Sequence, residues 1–200
     1  MEIVIILFDG VDEIDAIGPF EVFENAASAG ADLEVTLCTL SGNERVTASH
    51  DLEIGTAVPL SDRMPDLVVV PGGQWNTRGE TGAWTEAKCG DLPDAIARLH
   101  DDGSVIAGVC TGGMLMQRAG VLEGRPAVTH YEAVGELQEA GIEVVDARIV
   151  DDNDILTAGG ITSGFDLALH IVEREFGSKT ADMVTQQMEY KRRGSVHRSS

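Results

Sequence analysis

Residues 105–116 read VIAGVCTGGMLM, a β-branched apolar strand that runs straight into a glycine-flanked cysteine and then into a helical pattern. Within it, Gly108-Val109-Cys110-Thr111-Gly112 has the G-x-S-x-G spacing of a nucleophile elbow, with cysteine in the nucleophile's place. The flanking glycines permit the sharp strand-to-helix turn that pushes a side chain out at a sheet edge. Such an elbow belongs on a parallel α/β sheet, and the rest of the chain supplies one. Short apolar runs alternate with longer helix-period segments, the pattern of a parallel sheet covered by helices. Strands are expected at Ile3–Phe8, Leu33–Leu40, Leu67–Val70, Val105–Val109, Ala127–Thr129 and Ile155–Thr157. Helices are expected at Pro19–Ala27, Thr85–Asp101, Gly112–Ala119, Glu132–Ala140, Ser163–Phe176 and Lys179–Tyr190. Pro19 suits a first helical position, Gly103 and Gly141 suit helix C-caps, and residues 45–58 alternate as a small antiparallel excursion at one edge does.

The 200 residues fit one domain, read as 1–190, followed by a loose basic end at 191–200, KRRGSVHRSS. Apolar residues make up 43% and charged residues 24%, the composition of a folded globule. The longest apolar run, Ile3–Phe8, is far short of the roughly 20 residues of a membrane helix, and no basic leader precedes it. The expectation is a soluble cytoplasmic protein without a membrane partner. Against 14 Lys and Arg stand 34 Asp and Glu, a net charge of −20 that repels phosphate backbones and argues against nucleic-acid binding. Acids scattered along the whole chain, with Lys only at 88, 179 and 191, suggest a solvated shell of the halophilic kind; the alternative is a merely acidic mesophile protein. Cys38, Cys89 and Cys110 form no CxxC pair and are odd in number, so neither a disulfide framework nor a metal site is expected.

In a parallel sheet, ligands bind beyond the carboxyl ends of the strands. Cys110 stands there, at a helix N-terminus expected to favour thiolate, whereas Cys38 and Cys89 read as packing residues. After Leu67–Val70, the turn Pro71-Gly72-Gly73 offers backbone N–H groups; together with the N–H of Thr111 these are candidate oxyanion donors. After the first strand, FDGVDEIDAIGP offers Asp9, Asp12, Glu13 and Asp15. Asp15 is favoured, because Ile14, Ala16 and Ile17 imply a dry setting that raises its pKa. His130 reads as a base, a substrate contact or a hydrogen-bonder to its neighbours. The turn Gly159-Gly160-Ile161 offers further N–H groups to an acid or a substrate.

Taken in order, IILFDGVDEIDAIGPFEVF, VVVPGG, IAGVCTGGMLM, VTHYEA and LTAGGITSGFDLALHIVE resemble the ThiJ/PfpI superfamily of class I glutamine-amidotransferase-like folds, over roughly residues 1–177. The resemblance implies a flavodoxin-like three-layer sandwich, a mostly parallel sheet with helices on both faces. Within the superfamily, Asp15 in IDAIGP and Thr111 after the nucleophile are similar to isocyanide hydratases. The deglycase branch has Glu at the first position, and the protease-like branch has His at the second. What this implies is a small-molecule substrate, no cofactor and a homodimer: Cys110 attacks an isocyanide, Asp15 moves the proton, Thr111 bonds near the thiolate, and the backbone of Ile161 helps to hold Asp15. His130, Trp75 and Gly160 would wall the pocket, Trp75 equally being core or dimer packing. A glyoxalase or deglycase activity on α-oxoaldehydes and a non-catalytic redox-sensing or ligand-binding module are the alternatives. Similar motifs occur in domains fused to AraC-type regulators; the end of this chain at Ser200 and its acidity read against that role.

Overall fold

The structure is a computed structural model that describes residues 1–40, 42–55, 58–60 and 63–199. Glu2–Leu7 (β1) is nearly continuous hydrophobe, and Ile3, Val4, Ile5 and Ile6 are wholly buried. Such a run serves only a strand covered on both faces. The chain continues through Glu13–Ser28 (α1), Glu34–Thr39 (β2), Arg45–Thr47 (β3), Glu53–Gly55 (β4), Val58–Pro59 (β5), Leu67–Val70 (β6), Ala83–Cys89 (α2), Asp91–Asp101 (α3) and Val105–Val109 (β7). Gly112–Arg118 (α4), Pro126–Ala127 (β8), a 3-10 turn over Tyr131–Ala133, Val134–Glu139 (α5) and Glu143–Val144 (β9) follow. Ile149–Asp152 (β10), Ile155–Ala158 (β11), Ser163–Phe176 (α6), Ser178–Gln187 (α7) and Val196–Arg198 (β12) complete it.

The main sheet has the order β12-β10-β11-β7-β6-β1-β2-β5. Every pairing is parallel except β10 with β11. The helices gather in two groups, α1, α6 and α7 in one and α2, α3 and α4 in the other. This is the flavodoxin-like sandwich. After β1 the chain goes first to β2 on one side and then to β6 on the other, which makes the carboxyl edge between β1 and β6 a topological switch point. Two small residues bring α1 and α6 close: a Cβ on Gly18 would lie 3.2 Å from the Phe165 ring, and one on Gly164 would lie 3.3 Å from Pro19.

Several boundaries differ from the sequence reading, each for a local reason. Helix α1 starts six residues before Pro19, because Asp12 accepts the Ile14 N–H (3.0 Å) and caps it there; Pro19 is therefore interior. The single helix expected over 85–101 is two, broken at Gly90, whose φ of 90° no helix continues through. The strand expected at 127–129 shrinks to β8 and pairs with β9 outside the main sheet. Residues 45–55 form the antiparallel pair β3-β4 as a separate two-stranded sheet, while β5 joins the main sheet beside β2. Gly103 (φ 101°) and Gly141 (φ 85°) do follow helix ends.

The basic end is not wholly loose. Its residues 196–198 form β12 on β10, and buried Asp166 fastens the segment before it. Asp166 takes the Arg148 guanidinium (2.6 Å), the Tyr190 hydroxyl (2.9 Å) and the Arg193 backbone N–H (2.9 Å). Removing a buried carboxylate that serves three donors costs about 3–5 kcal/mol. Asp166→Ala is therefore expected to lose about that much stability in urea denaturation, with amide exchange rising first over residues 190–199.

Candidate active site

Four loops, following the neighbouring strands β11, β7, β6 and β1, meet at one carboxyl edge. Cys110 leaves β7 with φ 56°, the left-handed region that costs an L-residue roughly 1–2 kcal/mol. Hydrogen bonds hold Cys110 there, among them one from the Gly113 N–H to its carbonyl (3.3 Å). Its N–H donates to the carbonyls of Ala158 (3.2 Å) and Gly159 (2.9 Å), and its carbonyl accepts from the Thr129 hydroxyl (2.8 Å). The glycine at 112 is dictated by space, since a Cβ there would overlap the Val70 carbonyl.

Asp15 lies in the first turn of α1, fully buried. Its Oδ2 accepts the Gly72 N–H (2.9 Å), while Oδ1 has no partner of ordinary hydrogen-bond geometry. The Cys110 thiol is the side chain that couples to this carboxyl. Burial, and then the charge of Asp12, push the Asp15 carboxyl well above the ordinary carboxylate range, opposed by the Gly72 N–H and by Cys110. Burial likewise pushes the Cys110 thiol up, and the neighbouring Asp15 carboxylate pushes it further; the N–H groups of Ile161 and Thr111 act the other way. Each group's charge makes the other's ionisation harder, so the pair shares a proton rather than losing two. The free thiolate expected from the helix end is thus corrected: in the dry elbow, thiolate forms only as Asp15 holds the proton and the two N–H groups face the sulfur.

The backbone donors are also distributed differently from the sequence reading. Gly72 N–H serves Asp15, and Gly73 N–H serves the Thr111 hydroxyl (3.0 Å), so neither is a spare oxyanion donor. Ile161, at φ 33°, turns its N–H to Cys110, and the group that holds Asp15 is Gly72. The four acids of the first loop part company. Asp9 caps β3 through the Thr47 N–H (2.8 Å), Asp12 caps α1, Glu13 pairs with His50 (2.7 Å), and Asp15 alone is buried against the thiol. Of the remaining cysteines, Cys38 is buried in β2, whereas Cys89 is exposed at the end of α2 and does not pack.

A cleft of about 180 Å³ opens over the elbow, lined by Cys110, Thr111, Gly73, Trp75, His130 and Ile161 among others. His130 reaches it although β8 is outside the main sheet, because Val128 N–H donates to Thr157 Oγ1 (2.9 Å) and Thr129 bonds the elbow carbonyl. Its Nδ1 accepts the Glu132 N–H (3.4 Å) and stands 4.0 Å from the Glu132 carboxylate, which ties the ring to the turn that follows it. The ring lies on Gly160, where a Cβ would come within 2.7 Å of it; Gly160 admits the histidine without lining the cleft. Trp75 is both core and wall, 2% exposed and edge-on to Trp84 (5.3 Å). Asp12, one of the acids the first loop offers, also lines the cleft, while sequence reasoning missed Gln74, Asn76, Thr77 and Glu132 as lining residues. The signal available was adjacency to Trp75 and His130. Among the described residues no cluster of His, Cys, Asp or Glu is arranged to hold a metal ion, and no helix is long and apolar enough to cross a membrane.

Comparison with known proteins agrees with this architecture. The model of the DJ-1/PfpI family matches residues 1–174. An isonitrile hydratase of Pseudomonas putida is 30% identical over 191 residues, 95% of this chain and 78% of the relative. An AraC family transcriptional regulator from Pseudomonas putida superposes with a TM-score of 0.81 at 25% identity, covering 94% of this chain and 98% of that one. Drosophila melanogaster DJ-1beta shares the fold with a TM-score of 0.80 at 23% identity, covering 95% and 98% of the two chains. With an elbow cysteine, a buried acid from the first helix and a matching family model over most of its length, this chain belongs to the DJ-1/PfpI family.

Proposed function

We propose that the protein hydrates isocyanides to N-substituted formamides, using Cys110 as nucleophile and Asp15 as proton carrier. The observation that carries this reading is the placing of a fully buried Asp15 carboxyl, held by the Gly72 N–H (2.9 Å), beside the buried Cys110 thiol that lines the cleft. Water addition to R–N≡C needs a nucleophile and one acid that gives and takes protons in turn. The Cys110 sulfur bonds the terminal carbon while Asp15 delivers its proton to that same carbon, leaving the thioimidate R–N=CH–S. Asp15, now ionised, takes a proton from water as the hydroxyl adds to the carbon, and passes a proton to nitrogen. When the tetrahedral adduct collapses, its hydroxyl proton returns to Asp15 and the C–S bond breaks. R–NH–CHO leaves, and the thiolate with protonated Asp15 is restored. Thr111 places its N–H at the sulfur and its hydroxyl under Gly73, and His130 walls the cleft beside them. No step calls for a cofactor.

The likeness to the isonitrile hydratase supports this assignment, and so does Asp rather than Glu at 15. The test is formamide formation from a small isocyanide, in low and high salt, with methylglyoxal consumption measured in parallel. Formamide release is the expected result. Silence with isocyanide from folded, reduced protein overturns the reading, and aldehyde consumption would then favour the oxoaldehyde chemistry. A homodimer in cytoplasm of high ionic strength, with a small molecule as the partner, belongs to the same proposal. Light scattering at low and high salt reads the dimer directly.

A further inference from the structure

Beside the cleft lies a groove of about 890 Å³, and His130 and Ile161 line both. Small-molecule pockets usually span about 300–1,000 Å³. The cleft over Cys110 is below that range and the groove is within it. At about 180 Å³ the cleft takes the isocyano group and a substituent roughly the size of a benzene ring, and a longer chain must leave it.

The cleft is closed on its other side. Asn76 Nδ2 donates to Glu132 (2.7 Å), Trp75 Nε1 donates to Glu136 (3.3 Å), and Arg78 pairs with Glu136. Arg78 also lies over the Trp84 ring, 3.7 Å from its centroid. These ties bind the loop after β6 to the 3-10 turn and to α5, and leave the way past His130 and Ile161 as the direction in which a substrate extends. Beyond those two residues the apolar part of the wall is Val128, Val134, Val144, Val145 and Ala147, with Gln138, Asp146 and Ser195 among the polar residues around it. The one guanidinium in the groove, Arg148, is occupied by Asp166 and by Thr162 Oγ1 (3.0 Å). It offers no free cation to an anionic ligand.

We propose that this groove is the subsite for the N-substituent, and that the substrates are isocyanides bearing an extended, uncharged apolar group. The inference rests on the hydratase reading. Apolar walls stabilise such a group by about fourfold for each methylene removed from water. The gain appears in kcat/KM for long substrates and is absent for short ones.

Ethyl and n-octyl isocyanide are compared with wild type, Val134→Trp and Ala147→Trp, variants on opposite walls whose folding is checked by circular dichroism. Wild type is expected to prefer the octyl compound by tenfold or more, and each tryptophan is expected to cut that ratio at least tenfold. A ratio near one in wild type, or one that neither folded variant alters, overturns the proposal. A second readout needs no turnover: alkylation of Cys110, followed by peptide mass, with N-ethyl- and N-octylmaleimide, each rate normalised to free cysteine. A faster octyl reagent in wild type, slowed by either tryptophan, supports the groove even if no isocyanide reacts, in which case the hydratase reading alone falls. Isocyanide turnover with no dependence on chain length overturns the groove alone.

Discussion

Cys110→Ala is expected to abolish formamide production, lowering kcat at least about 10⁴-fold, because no second thiol lines the cleft among the described residues. Cys38 lies within β2, and Cys89 is exposed at the end of α2, away from the elbow. The loss is chemical and not structural. Alanine keeps the backbone bonds of residue 110 to Ala158, Gly159 and Thr129, so thermal melting is expected to shift little. Rapid-quench mass spectrometry provides the check: wild type mixed with isocyanide gains the mass of one substrate on the peptide containing Cys110, and the variant gains none. Residual turnover within tenfold of wild type would remove Cys110 from the mechanism.

Asp15→Asn is expected to move activity and stability in opposite directions. The amide cannot deliver a proton, and general acid–base catalysis is worth about 10²–10⁴-fold, so kcat falls by about that factor. For stability, the sign follows from a carboxyl whose pKa is raised by burial first and by Asp12 second. The folded chain then binds a proton that the unfolded chain releases above its ordinary pKa, near 4. The native state is favoured fully below that pH and loses the advantage as pH rises through the folded value. Asparagine has no such proton to lose, and its carbonyl can still accept the Gly72 N–H. The variant is expected to melt about 2–6 °C above wild type at pH 8, for a gain of roughly 1–2 kcal/mol, with the gap closing toward pH 4. An equal or lower melting point at pH 8 would show that the site does not resist ionisation of Asp15.

Five strands of the sheet, β1, β2, β6, β7 and β11, were legible because each is a short hydrophobic run, and Leu67–Val70 and Val105–Val109 match residue for residue; β10 was missed, because half of it is Asp151 and Asp152. Where the expectation departed from the structure, a tertiary or capping interaction decided. Asp12 moved the start of α1 because its side chain captures an N–H, which outweighs the signal of a proline at 19. The C-terminal strand was invisible because charged residues 191–193 mask it, and what orders it is Asp166, some 30 positions earlier. In the site, Cys110 and Asp15 were legible from glycine spacing and an apolar context. The destinations of the Gly72, Gly73 and Ile161 N–H groups were not, because they depend on which of several nearby acceptors each turn happens to face. The groove was hidden for a similar reason: its walls come from segments 128–134 and 144–148 and from the turn before α6, which no local pattern connects.

The left-handed backbone at residue 110 also bears on how such a chain would drift. Glycine adopts that conformation freely, so exchanging Cys110 for glycine relieves roughly 1–2 kcal/mol of backbone strain, set against the lost burial of the thiol and glycine's greater freedom when unfolded. The glycines at 108 and 112 enjoy no such licence, since a side chain at either meets Met116 or Val70. A lineage that stopped using the reaction would therefore be free to lose its nucleophile while the turn around it persisted. A descendant reading G-V-G-T-G in place of G-V-C-T-G would mark the moment when the scaffold outlived its chemistry.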